Sequence, residues 1–104
     1  MLPNYIITRV QYSKNSNGNT VISNAKVGKI NKEKESVSIP ISWTRQEIVE
    51  KLEKKYTFAT ATEESDKTYK VGADIIIVEI NDVKYIRTDG NETEADNLGE
   101  LPSF

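Results

Sequence analysis

Apolar and polar residues alternate with a period of two along much of this chain of 104 residues, and in one short stretch the period lengthens to that of a helix. Tyr5-Ile6-Ile7-Thr8-Arg9-Val10-Gln11-Tyr12 is dense in β-branched and aromatic residues and reads as a strand. Ser13 to Asn19 is wholly polar and contains Asn17-Gly18, a pair that tolerates positive φ and so favours a tight hairpin turn. Thr20 to Val27 returns as a second strand, its alternation slipping near Ile22, where a bulge would restore the face. Lys29 to Glu35 reads as a charged loop. Val37, Ile39, Ile41 and Trp43 then alternate with Ser36, Ser38, Pro40 and Ser42. Pro40 has no N–H to give a ladder, so this stretch is an edge strand or an extended lead-in to a helix.

The helix start is marked by local chemistry. Thr44 suits an N-cap and Glu47 follows three residues later, the spacing of a capping box. Trp43 before the cap and Ile48 after it have the spacing of a hydrophobic staple. Ile48, Val49 and Leu52 share one face, and Glu47–Lys51 and Glu50–Lys54 are i,i+4 pairs in the favourable order. Lys54 and Lys55 meet the negative end of the helix. The pattern predicts a helix over 45–54, short enough to need a sheet to pack on.

Tyr56 to Thr62 reads as a further, half-buried strand, and Glu63 to Val71 as a polar loop. Asp74 to Ile80 is the most apolar run and suits a central strand covered on both faces. Asn81-Asp82 forms a two-residue turn, and Val83 to Thr88 is the hairpin partner. The order β-β-(β)-α-β-β-β predicts an α+β fold: a mainly antiparallel sheet of about five strands with one helix across it. Residues 1–104 make one domain. Its tail, 96–104, docks on the core, because Leu98, Leu101 and Phe104 fall at steps of three and present one apolar face.

Composition removes whole classes of chemistry. With no His and no Cys, the chain has no histidine base, no Ser–His or Cys–His nucleophile and no thiolate metal site. No apolar leader opens it and no run nears the roughly 18 apolar residues of a membrane span, so a cytoplasmic location is expected. The net charge of −2 conceals an asymmetry. Residues 1–55 hold ten Lys and Arg against five Glu, and residues 56–104 hold four against eleven Asp and Glu. An acidic balance argues against nucleic acid as the main partner.

Ile7-Thr8-Arg9-Val10, Trp43-Thr44-Arg45 with Ile48, and above all Tyr85-Ile86-Arg87-Thr88 followed by Asp96-Asn97-Leu98 and Leu101-Pro102 carry a resemblance. In these residues the chain resembles the domain of unknown function 3892 family, small proteins of bacteria and their phages. The resemblance implies an α+β fold and supplies no catalytic, cofactor or metal residue to carry over.

The candidate residues are therefore anchors. Arg87 and Asp96 read as a pair tying the tail down, the guanidinium fork suiting a carboxylate; the competing reading makes Arg87 an anion-binding residue. Asp89, Asn91, Glu94 and Asp96 offer oxygen ligands to calcium, but without the order of an EF-hand they read better as a solvated acidic loop. Lys26, Lys29, Lys32 and Lys34 beside Tyr12 could touch phosphates and stack bases, although Glu33 and Glu35 interrupt them. The five tyrosines suit a half-buried core better than an interface. The edge from Val37 to Trp43 can add a strand from a partner or from a second copy. The expectation is a non-enzymatic protein-interaction module without cofactor. The alternative is an accessory nucleic-acid-binding protein. Trp43, Arg87, Asp96, Leu98, Leu101 and Phe104 are the anchors.

Overall fold

The computed structural model describes residues 2–34, 36–65, 68–90, 94–99 and 101–104. Strands β1 (Tyr5–Lys14) and β2 (Thr20–Asn31) form a long antiparallel hairpin. Its turn is closed by Asn15, whose Oδ1 accepts from the amides of Asn17 and Asn19 at 2.9 Å while Gly18 takes φ 80°. The hairpin is kept on one core face by two bulges. Thr8 is the extra residue in β1, between Ile7 and Arg9, and Ser23 is the extra residue in β2, between Asn24 and Ile22. Each bulge resets the period of two, so Ile7 and Val10 face the same core, as do Ala25 and Ile22. The slip near Ile22 in the sequence is this second bulge.

The stretch around Pro40 is broken into two edge pieces. β3 (Ser36–Val37) and β4 (Ile41–Thr44) both lie on the outer side of β2, with 38–40 between them outside the ladder. β3 approaches so closely that a Cβ on Gly28 would stand 2.9 Å from Val37 Cγ1. Thr44 ends β4 and caps α1 (Arg45–Glu53), completing the capping box with Glu47. Lys54 is the C-cap, and Lys55 follows at φ 72°, donating to Leu52 O at 3.0 Å while the Tyr56 amide reaches Lys51 O at 3.1 Å. These two bonds are those of a Schellman stop, with lysine at the position that glycine usually takes.

β5 (Phe58–Ser65) pairs with β1 in parallel, Tyr5 to Ile7 against Phe58 to Thr60, and antiparallel with β6 (Thr68–Asp74). The sheet order is β3-β2-β1-β5-β6, with β4 also on β2. The sheet is thus mixed, where a mainly antiparallel one was expected, and the chain is mostly strand with a single short helix. The predicted loop at 63–71 is largely ladder. Glu63 faces Tyr69 and Thr62 faces Lys70, and an edge strand so exposed needs no apolar face to announce itself.

The apolar run after Asp74 is not a central strand. β7 (Ile76–Ile80) and β8 (Val83–Arg87) form a separate two-stranded hairpin, turned by Asn81 and Asp82 at φ 51° and 65°. Ile77 and Ile86 pack on the core from one face of this hairpin, next to Ile75 just before it, while Tyr85, 1% exposed, is buried on the other face of β8 and Ile76 stays 41% exposed. Ile48, Val49 and Leu52 of α1 cover the same sheet face, above Tyr5, Ile7, Val27 and Phe58. A smaller cluster of Ile6, Ile30 and Ala61 sits on the other face, with Val37 and Tyr69 against it. No helix among the described residues is long and apolar enough to cross a membrane.

Candidate functional site

The tail is held by Asp96, and its cationic partner is Arg45. Arg45 Nε donates to Asp96 Oδ2 at 2.7 Å and Nη2 to Oδ1 at 3.1 Å. The backbone amides of Ile22 and Ile86 add one donor to each oxygen, both at 2.7 Å. The carboxylate, wholly removed from solvent, thus has four donors, and joins β2, β8, α1 and the tail at one point. Arg45 Nη2 also donates to Lys84 O.

The expected Arg87–Asp96 pair does not form. Arg87 Nε donates to Asp89 at 2.9 Å and Nη1 to Ala95 O at 2.7 Å. The cause is local. The tail runs beside β8 through Asn97 N to Ile86 O and Thr88 N to Asn97 O, which places the Asp96 carboxylate between β8 and β2. Arg87 is left to grip the backbone one residue earlier. In the sequence the one signal for Arg45 is its place just inside the capped helix start at Thr44.

Beyond Asp96 the tail takes over one side of β1. β5 leaves β1 after Ile7, and further along the same strand Val10 N donates to Pro102 O at 3.0 Å and bridges Ser103 in parallel. The Leu98 amide donates to Tyr12 Oη at 3.2 Å, and Gln11 Nε2 donates to Phe104 O. Leu98 is buried and Leu101 packs against the main core. Phe104 is 37% exposed, with Lys26 Nζ 4.9 Å from its ring centroid. Trp43 is half-buried, its ring 5.0 Å from Tyr5 and 6.0 Å from Phe58, both edge-on.

The acidic residues named for calcium do not converge. Asp96 is filled by its four donors, Asp89 takes Arg87, and Glu94 accepts from Asn81 at 2.6 Å; Asn91 lies outside the described residues. A groove of about 770 Å³ lies where the end of α1 meets β5 and β7, lined by Leu2, Leu52, Tyr56 and Ile76. Lys84 and Glu53 form an ion pair across its rim. That hydrogen bond and the charge of Glu53 raise the Lys84 ammonium above the usual lysine value of 10.5.

The edge at β4 is the most exposed apolar feature. Ile39 is 83% and Ile41 60% accessible. β4 pairs with β2 alone, so its outer side carries no neighbouring strand among the described residues. The register puts Ile41 opposite Val27 and Trp43 opposite Ala25, so Ile41 continues the core face out past its covered part.

The class is that of a small, mostly-strand domain with a single short helix. The chain belongs to the DUF3892 family, proteins of unknown function, which it matches over residues 6–102. No curated protein and no solved structure matches it significantly.

Proposed function

We propose that the chain is a non-enzymatic protein-interaction module that receives an extended segment along the outer side of β4. The observation that carries this reading is the pair Ile39 and Ile41, 83% and 60% exposed beside a strand edge that has no neighbour among the described residues. Sheet edges are ordinarily blunted, because an open row of N–H and C=O groups pairs with whatever strand arrives. Here Pro40 limits that pairing, while the isoleucines on either side of it add an apolar surface that a solvated edge has no use for. Strand addition uses both features: main-chain bonds give affinity, and side chains at alternate positions give specificity.

A photo-crosslinker placed at position 39 of the intact chain tests this. It should join a partner at that position, and the joined product should disappear when Ile41→Thr is added. An exposed exchange of this kind should leave the melting temperature within the small range of surface substitutions. Equal crosslinking from a control site on the far sheet edge, such as Lys70, would refute the reading.

A further inference from the structure

We infer that Asn17 is a modification site, where the side-chain amide is lost to the Gly18 backbone and the residue becomes aspartate or isoaspartate. The step needs a carboxamide that is free to turn and a following nitrogen that it can reach. Glycine, with no Cβ, leaves its nitrogen the most open to approach. Of the nine asparagines, Asn17 alone precedes glycine. It is also the one described asparagine whose carboxamide makes no hydrogen bond among the described residues. Asn4, Asn15, Asn31 and Asn97 accept backbone amides, and Asn19, Asn24 and Asn81 donate to a hydroxyl, a carbonyl and a carboxylate. Asn17 and Gly18 are both exposed at the tip of the β1–β2 hairpin, and a Cβ on Gly18 would meet nothing within 4 Å. Water therefore reaches the site.

The chemistry takes water as its co-reactant. The Gly18 nitrogen gives up its proton to solvent base and attacks Asn17 Cγ. The new C–N bond closes a cyclic imide, and the side-chain nitrogen departs as ammonia. Water then opens the ring. Hydrolysis at Cγ leaves aspartate; hydrolysis at the backbone carbonyl leaves isoaspartate, with the main chain rerouted through the former side chain. The folded turn opposes the first step. The Gly18 amide donates to Asn15 O at 3.0 Å and the Asn17 amide to Asn15 Oδ1 at 2.9 Å, which holds the attacking nitrogen in the turn. Local opening of the tip must precede attack, and its equilibrium sets the rate in the folded chain.

Ageing of the full chain at mildly alkaline pH, folded and in denaturant, tests this. Peptide mass spectrometry locates the exchange of amide for acid, and fragmentation separates isoaspartate from aspartate. Residue 17 should convert ahead of every other asparagine and yield both products. It should convert about tenfold to a hundredfold more slowly in the folded chain, the factor that two closing hydrogen bonds supply. Asn15→Ala, checked for an unchanged fold by circular dichroism, removes the Oδ1 clamp and should bring the folded rate towards the denatured one. Amide exchange at Gly18 reads the same opening without any variant, and should be slowed by the same factor. Another asparagine converting first, equal rates in the folded and denatured chains, or no acceleration in Asn15→Ala would each overturn the inference. So would a folded chain intact at residue 17 well beyond that factor, or a freely exchanging Gly18 amide.

Discussion

Each oxygen of Asp96 receives one backbone amide and one guanidinium nitrogen, so removing Arg45 leaves a buried carboxylate with only half its donors. Breaking a buried pair from one side costs about 3–5 kcal/mol. Denaturant unfolding of Arg45→Ala, Asp96→Ala and the double variant should therefore show strong coupling, about 1–3 kcal/mol. The same cycle run with Arg87→Ala should give a clearly smaller value; an equal one would refute the assignment of partners. Thr8 presents the opposite situation. It is 2% exposed, its Oγ1 has no hydrogen-bond partner among the described residues, and it is the extra residue of the β1 bulge. An unsatisfied buried hydroxyl costs about 1–3 kcal/mol, and an apolar group of the same shape removes that cost. Thr8→Val should thus unfold at equal or higher denaturant concentration than the parent. A marked loss of stability would show that the hydroxyl has a partner in solution.

Among the elements, α1 owes its limits to its two ends. Thr44→Ala removes the cap and should cost about 0.5–2 kcal/mol. Lys55→Gly relieves a left-handed residue at the stop and should gain about 0.5–1 kcal/mol, read from the same unfolding curves. If Lys55→Gly destabilised the chain, the place of the Lys55 side chain in the lining of the groove at the end of α1 would outweigh its backbone strain. The helix was legible in the sequence to within a residue, since Thr44, Glu47 and the apolar face are local signals. So were the hairpins at Asn17-Gly18 and Asn81-Asp82, because turn chemistry is local too. What could not be read was pairing between distant segments. β6 has no alternating apolar face, so Thr68 to Asp74 reads as loop although it is a ladder partner of β5. The run Asp74 to Ile80 is apolar because its hairpin leans on α1 and the main sheet, and composition alone does not separate that from a central strand. At the site, the sequence pointed to Asp96 and the tail but assigned the wrong arginine. Helix placement decides which guanidinium arrives, and that is a tertiary fact.

Over the whole molecule the tail behaves as part of the sheet, standing beside Val10 where β5 has turned away. Deleting residues 97–104 removes buried Leu98 from the core, at about 1.5–3 kcal/mol, and the smaller contribution of half-buried Leu101. It also frees the Val10 amide. The truncated chain should melt well below the parent, and amides at 10 and 98 in the parent should exchange slowly. An unchanged melting temperature with fast exchange would show a tail that only rests on the surface. The position of Asp96 has a further consequence for synthesis. Its partners Ile22 and Arg45 lie 74 and 51 residues earlier, and Ser103, which bridges Val10, lies far along the chain. Structures closed by contacts this distant in sequence fold slowly, and β1 can find this neighbour only once residues 102–104 have left the ribosome. Until then the growing chain carries an apolar sheet face and a lone Arg45, and its order of manufacture leaves it exposed to chaperones and to other strands.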